Sequence, residues 1–475
     1  MRSLAAALLL ALGLAGCSTP ALQSSPQPAP QSPPYQSAPQ STSALSDAAV
    51  GRGIAQPEPR PCPAGVAAGT LCLAGTDTAG AHYWLAVPAP WNGMLVLHAH
   101  GGPELGAPSS ARTEQDLKRW SVWSRAGYAW AGTSFRQGGV EVRAAAADTE
   151  RLRHIFSAVI GVPTRTLLHG QSWGASVAAI AAETYTQRDS SGRPPYDAVL
   201  LTSGVLGGGS RSYDFRLDLR VVYEALCANH PRPDEAPYPL WQGLPPGATL
   251  TAAELRARVD ACTGIDQPAA QRTEAQRRRL QTLLDVILIP ERSLVGHLNW
   301  ATFHFRDVVF NRLGGRNPFG NEGVRYTGSA DDTALNAAVA RYRADPAAVA
   351  AFAADTDPHG RIAVPVLTVH AIDDPVAFVE LESTWLETMR EAGTDGNLVQ
   401  LFTDDHDHSY LSDAAYVAAM RALLRWLENG ERPTPQSVAA ACPEVAAAFD
   451  PARGCRFMPQ YRPAPLASRV PTRSK

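Results

Sequence analysis

Five consecutive residues, Gly170-Gln171-Ser172-Trp173-Gly174, constrain this chain more than any other part of it. They follow an apolar run, Thr166-Leu167-Leu168-His169, and lead into a small-residue helical stretch from Ala175 to Tyr185. The order is strand, tight turn, helix, with a serine at the apex and a glycine two residues to either side. Those glycines answer a steric requirement, because the turn brings strand and helix too close for a Cβ. The serine is held in a strained backbone conformation that lifts its hydroxyl above the sheet.

The surrounding sequence supplies that sheet. Met94 to Leu97 reads as a strand ending in His98-Ala99-His100-Gly101-Gly102, Leu117 to Gly127 as a helix, and Tyr128 to Thr133 as the next strand. Ala144 to Ile160 is helical, and Ala198 to Thr202 is a further strand. This alternation predicts an α/β fold, a mostly parallel sheet flanked by helices. The pattern breaks over residues 207–357, with proline clusters from Pro231 to Pro246, a charged helix around Arg272 to Arg279 and an aromatic stretch from Trp300 to Phe310. This block is expected to be a large cap insertion dividing a core of residues 51–206 and 358–475. Within it Asp214, Asp218 and Arg216, Arg220 recur at i, i+4 spacing, which predicts a salt-bridged helix face. Strand signal resumes at Val364 to Val369 and again at Leu398 to Phe402. Ser412 to Glu428 then reads as a final amphipathic helix stopped by Gly430.

A length of 475 residues, 45% hydrophobic and 18% charged, provides ample core. The formal net charge of -3 leaves no basic field to hold nucleic acid. Arg2 and the apolar segment Leu4 to Leu14, too short for a stable membrane anchor, read as a signal peptide over residues 1–17. It closes with Leu14-Ala15-Gly16-Cys17, which resembles a bacterial lipoprotein processing box. The resemblance implies a lipid on Cys17 and attachment to a membrane, with Ser18 directing delivery to the outer membrane; an ordinary secretory signal is the alternative. Both place the protein outside the cytoplasm. Residues 18–50, rich in Ser, Pro, Gln and Ala, read as a disordered tether.

Cysteine usage agrees with export. Cys62, Cys72, Cys227, Cys262, Cys442 and Cys455 are an even number suited to an oxidising compartment. Sequence does not choose among their connectivities; the local pairs 62–72, 227–262 and 442–455 are the expectation.

A serine hydroxyl is a poor nucleophile until a histidine takes its proton and a carboxylate fixes that histidine. The chain resembles the α/β-hydrolases, in which serine, acid and histidine follow in that order on loops after strands. His370-Ala371-Ile372-Asp373-Asp374-Pro375-Val376 looks like the family's acid loop and puts the acid at Asp374, with Asp373 as the alternative. Asp404-Asp405-His406-Asp407-His408-Ser409-Tyr410-Leu411 resembles the histidine loop, with His408 favoured as the base and His406 left open. The backbone of Trp173 and, from the H-G-G-like segment His100-Gly101-Gly102, that of Gly102 or Gly101 would hold an oxyanion.

The resemblance, to a group that includes extracellular carboxylesterases and feruloyl-type esterases, covers residues 80–205 and 360–430. It implies a serine esterase acting on small or polymeric esters without a cofactor. A cap-bearing, aminopeptidase-like serine peptidase is the alternative. A metal-dependent hydrolase built on His98 and His100, with His370, His406 and His408 as further ligands, is a second. A non-catalytic binding protein on the same fold is a third, set against the presence of all three triad residues.

Overall fold

The computed structural model describes residues 56–473; the signal segment, Cys17 and the tether lie outside the described residues. Nine strands form one sheet: β1 (Glu58–Pro59), β2 (Leu71–Thr76), β3 (His82–Val87), β4 (Met94–Ala99), β5 (Ala129–Thr133), β6 (Arg165–Gln171), β7 (Ala198–Thr202), β8 (Val366–Ala371) and β9 (Leu398–Thr403). Their order is β1-β2-β3-β5-β4-β6-β7-β8-β9. Pairing is antiparallel from β1 through β5 by way of β3, and parallel everywhere from β5 to β9. With helices on both faces and a strand–turn–helix at its centre, this is the α/β-hydrolase fold.

The period-2 alternation of the strands divides their side chains between two cores. Leu95, Leu97, Leu168, Val199, Leu201 and Val366 face the layer that holds helices Val142–Val159 and Trp173–Thr184. Val96, Leu167, Leu200, Leu367 and Leu401 face the layer of Trp120, Trp123 and helix Asp413–Asn429. Strands covered on both faces read as continuous apolar runs, and the central ones carried the clearest signal. Ser412 caps the last of these helices by accepting from Ala414 N at 3.1 Å, and Gly430 ends it at φ 70°.

Two local expectations differ from the structure, and for β2 the sequence offered none. The helix read at 117–127 is two helices, Ser110–Arg119 and the short Val122–Arg125, with Ser109 as the N-cap of the first. β2, with a glycine in a short antiparallel strand, lies ahead of the alternating region and carries no helix–strand rhythm of its own. The face of Asp214, Arg216, Asp218 and Arg220 is not a surface ladder. Arg216, Asp218 and Arg220 are buried, because helix Asp214–Cys227 runs through the middle of the insertion. Asp218 accepts from the Tyr326 hydroxyl at 2.7 Å and pairs with Arg473, while Arg220 donates to Tyr238 Oη at 2.9 Å.

Among the described residues, the elements between β7 and β8 are all helical and enclose their own core of Phe215, Leu217, Leu219, Leu283, Phe305 and Phe319. One helix of this insertion starts at Leu294–Asn299 and continues through π-helical turns at Trp300–His304 and Asp307–Arg312. Carboxylates of the insertion grip the start of helix Val142–Val159. Asp307 accepts from Val140 N at 3.1 Å, and Asp355 accepts from Val142 N and Arg143 N, each at 3.1 Å.

The six cysteines pair as expected: Cys62–Cys72, Cys227–Cys262 and Cys442–Cys455. The second closes a ring within the insertion with a sequence separation of 35, against 10 for the first. Because a cross-link restricts the unfolded chain more as its ring grows, replacing Cys227 and Cys262 by alanine should cost about 4 kcal/mol, and the same change at Cys62 and Cys72 about 3 kcal/mol. Denaturant unfolding of both double variants checks this; the reverse order would show that ring closure does not govern their contribution.

Candidate active site

The sharp turn at Ser172 is visible in its backbone, φ 57° and ψ -122°, a region that a residue with a side chain enters only under constraint. The constraint comes from both sides. Ser172 N donates to Thr202 O at 2.9 Å, and Ser172 O accepts from Val205 N at 3.1 Å, so the turn is bound to the end of β7 and the loop after it. The flanking glycines have the predicted cause. A Cβ on Gly174 would collide with the carbonyl oxygens of Ala99 and His100, and one on Gly170 with Gly174 O and Ala178.

The hydroxyl of Ser172 lies 2.8 Å from His408 Nε2. On the other side of that ring, His408 Nδ1 is 2.8 Å and 3.0 Å from the two carboxylate oxygens of Asp374. Asp373 and His406 pair with each other, Oδ2 to Nδ1 at 2.9 Å, on an exposed edge, and neither joins the contacts of Ser172. The loop after His408 is fixed by residues that the sequence did not single out. Ser409 stands at φ 61°; its carbonyl accepts from Arg119 and from Tyr416 Oη, the latter at 3.1 Å, and its hydroxyl accepts from Gln171.

Asp374 is sealed from solvent. Its Oδ1 accepts from Val376 N at 2.8 Å and Ala377 N at 3.0 Å, and its Oδ2 lies 3.5 Å from His370 Nε2. Burial would raise its pKa, yet the charge on His408 and the hydrogen bonds of both histidines outweigh this and hold it well below the usual carboxylate range. His370 is the second support. Its Nε2 faces Ala377 O at 2.8 Å and its Nδ1 faces Glu382 Oε1 at 3.0 Å, two acceptors that together call for both ring protons. Burial disfavours the imidazolium, but hydrogen bonds to Asp374 and Glu382 raise its pKa to about 10. Glu382 in turn accepts from Thr368 Oγ1 at 2.8 Å and Gln400 Nε2 at 2.7 Å. A buried chain of alternating charge therefore backs the acid loop.

Gly102 stands at φ 72° with open space where a Cβ would be, whereas a Cβ on Gly101 would strike the Gln171 side chain. Gly101 O accepts from Arg112 Nη2 at 2.6 Å and faces His100 Nδ1 at 3.0 Å. The N–H groups of Gly102 and Trp173 donate to no acceptor among the described residues. The Trp173 ring packs edge-on against Phe135, with centroids 5.8 Å apart.

The histidines considered as metal ligands have other neighbours. His98 Nδ1 pairs with His169 Nδ1 at 3.0 Å behind Trp120 and Trp130, His100 stacks on Phe135, and His370 is held as above. Among the described residues no group of three or more His, Cys, Asp or Glu side chains converges as a metal site.

No family model matches the sequence, and no curated protein sequence is similar to it. Among solved structures, similar chains include Candida antarctica lipase A in its closed state, at 12% identity over 81% of this chain and 84% of that one, with a TM-score of 0.43. Feruloyl esterase B from Aspergillus oryzae is 13% identical over 77% and 81%, with a TM-score of 0.41. Pyrococcus horikoshii acylaminoacyl peptidase is 10% identical over 76% and 39%, with a TM-score of 0.33.

The state of His370 can be read from stability. Its folded pKa, about 10, lies above the ordinary 6.5, so its contribution is complete below pH 6.5 and is lost as pH rises through about 10. The melting-temperature gap between the wild type and His370→Asn should be widest near pH 6 and narrow toward pH 10. A gap that stays constant would mean a neutral ring.

Proposed function

We propose that the chain is a serine hydrolase of carboxylic esters. The observation that carries this reading is the continuous hydrogen-bonded line from Ser172 Oγ through His408 to Asp374, at 2.8 Å on each side of the imidazole. His408 Nε2 takes the hydroxyl proton as Ser172 Oγ attacks the ester carbonyl carbon. The oxyanion that forms is received by the N–H groups of Trp173 and Gly102, with Gly101 shaping that loop. Asp374 holds His408 in the tautomer that accepts at Nε2 and stabilises the imidazolium. The C–O bond to the alcohol breaks, and the alcohol departs with the proton from His408. Water, deprotonated at the same Nε2, then attacks the acyl-enzyme and returns the proton to Ser172 Oγ. Every step uses side chains and backbone of this chain, and small-molecule or polymeric esters both fit it.

In this reading the helical block over 207–357 is a cap that limits which substrates reach Ser172, and specificity resides there. The three disulfides favour an oxidising compartment. We place the protein outside the cytoplasm, as a secreted or periplasmic protein or one tethered to the outer membrane through a lipid on Cys17. Metabolic labelling with a palmitate analogue should tag the expressed protein and fail on Cys17→Ser; equal labelling of both would remove the anchor.

Labelling by a fluorophosphonate, with p-nitrophenyl acetate and alanine p-nitroanilide as substrates, tests the reaction. Wild type should be labelled and turn over the ester. Ser172→Ala should lose labelling and about three orders of magnitude or more in kcat with its melting temperature preserved. Turnover of the amide instead of the ester would move the assignment to a peptidase, and comparable activity in Ser172→Ala would end the mechanism.

A further inference from the structure

Arg216 is a buried cation with almost nothing to neutralise it. Only 4% of it is exposed, and it makes a single hydrogen bond, from Nη1 to Ser212 O at 3.2 Å. Its Nε is sealed and has no acceptor, and among the described residues it has no ion-pair partner. Aromatic faces surround the guanidinium instead: Phe215 and Trp300 at 4.6 Å and Tyr213 at 5.2 Å. Burial lowers its pKa to about 10, still far above neutrality, so the positive charge remains. A guanidinium offers five N–H donors, and a fold that buries one normally provides a carboxylate for it.

Its position suggests the missing partner. Two cap histidines flank the cage and each reaches down to a loop beside Ser172. His297 Nε2 donates to Pro375 O at 2.9 Å, one residue past the acid Asp374. His304 Nε2 donates to Pro103 O at 2.9 Å, one residue past Gly102. Trp300, on the same helix, stacks on His304 at 4.5 Å and carries the guanidinium on its ring, while Phe215 packs edge-on against His297 at 4.9 Å. Arg216 thus sits in the part of the cap that spans the acid loop and the oxyanion loop.

We propose that Arg216 recognises a carboxylate on the substrate, so that the preferred ester carries one free acid group. This rests on the serine-hydrolase reading and deepens it. With Nη1 committed to Ser212, Nε and Nη2 are left without an acceptor among the described residues, and once the aromatic cover over them shifts, their two parallel N–H groups match the two oxygens of a carboxylate. The charge count points to a monoanion. His297 and His304 are kept neutral, with pKa values lowered by burial to about 3 and about 4, so Arg216 is the positive charge that these three residues offer. The cage excludes water, which strengthens a charge-assisted pair formed inside it.

Two matched substrate pairs test the idea and tell the acid-bearing halves apart. p-Nitrophenyl hydrogen adipate against p-nitrophenyl hexanoate places the charge on the acyl side; 3-acetoxybenzoate against 3-acetoxybenzamide places it on the alcohol side. In one pair the anionic member should lead in kcat/KM by about tenfold or more. That ratio should fall to about one or below in Arg216→Met, and also fall in Arg216→Lys, which keeps the charge but not the planar fork. If the methionine variant does not fold, the lysine variant and the wild type decide. Adipate, but not adipamide, should protect wild-type Ser172 from the fluorophosphonate. No preference in either pair, or a preference unchanged by both variants, overturns the proposal. Absence of labelling on the folded wild type would instead overturn the hydrolase reading beneath it.

Discussion

Burial alone would drive the Asp374 carboxylate toward its neutral form, and the arrangement around Ser172 depends on that not happening. A neutral acid could neither orient His408 nor stabilise a charge on it. The fold keeps the carboxylate ionised by surrounding it with donors: two backbone N–H groups of its own loop, His408 in front and His370 behind. His370 needs Glu382, and Glu382 is held by β8 and β9 through Thr368 and Gln400. The support for the acid therefore comes from the parallel sheet itself. A loop of irregular backbone inherits the rigidity of two paired parallel strands at one end of the sheet.

The insertion joins this core through a shared apolar cluster that takes in Val140 and Phe378, and through polar contacts directed at backbone. Asp307 and Asp355 satisfy N–H groups at the start of helix Val142–Val159, while His297 and His304 satisfy carbonyls beside the acid and the oxyanion loops. Arg469 forks onto Glu380, both contacts at 3.1 Å, and fastens a late stretch of chain to the segment that follows the acid loop. Hydrogen bonds of this kind fix orientation more than they add stability, since each replaces one to water. They set where the aromatic cage of Arg216 stands relative to Ser172.

Much of this was legible in the sequence, for identifiable reasons. Strands buried on both faces must be continuously apolar, so β4, β6, β7, β8 and β9 stood out, and Ala198–Thr202 was found at its true limits. The glycine–serine–glycine turn was legible because sterics leave no other residues possible there. The choices between Asp373 and Asp374 and between His406 and His408 were only weighted, because adjacent loop residues differ in direction and direction is set by tertiary contacts. Arg216 was misread because an i, i+4 charge pattern is the same on an exposed face and inside a cap; only the helices around Asp214–Cys227 tell them apart. The role of His370 was hidden for a similar reason, since Glu382, its partner, lies on a helix that no pattern linked to the acid loop.

Ser172 and His408 are 236 residues apart in the chain, and Asp374, in the loop after β8, follows the whole insertion. The turn that presents the serine needs only strands and helices that come early. Asp374 and His408 come after the whole insertion in the chain, and β8 must pair with β7 across it. In a partly folded or freshly synthesised chain Ser172 therefore lacks the hydrogen-bonded line to His408 and Asp374, which closes when the last parallel strands dock.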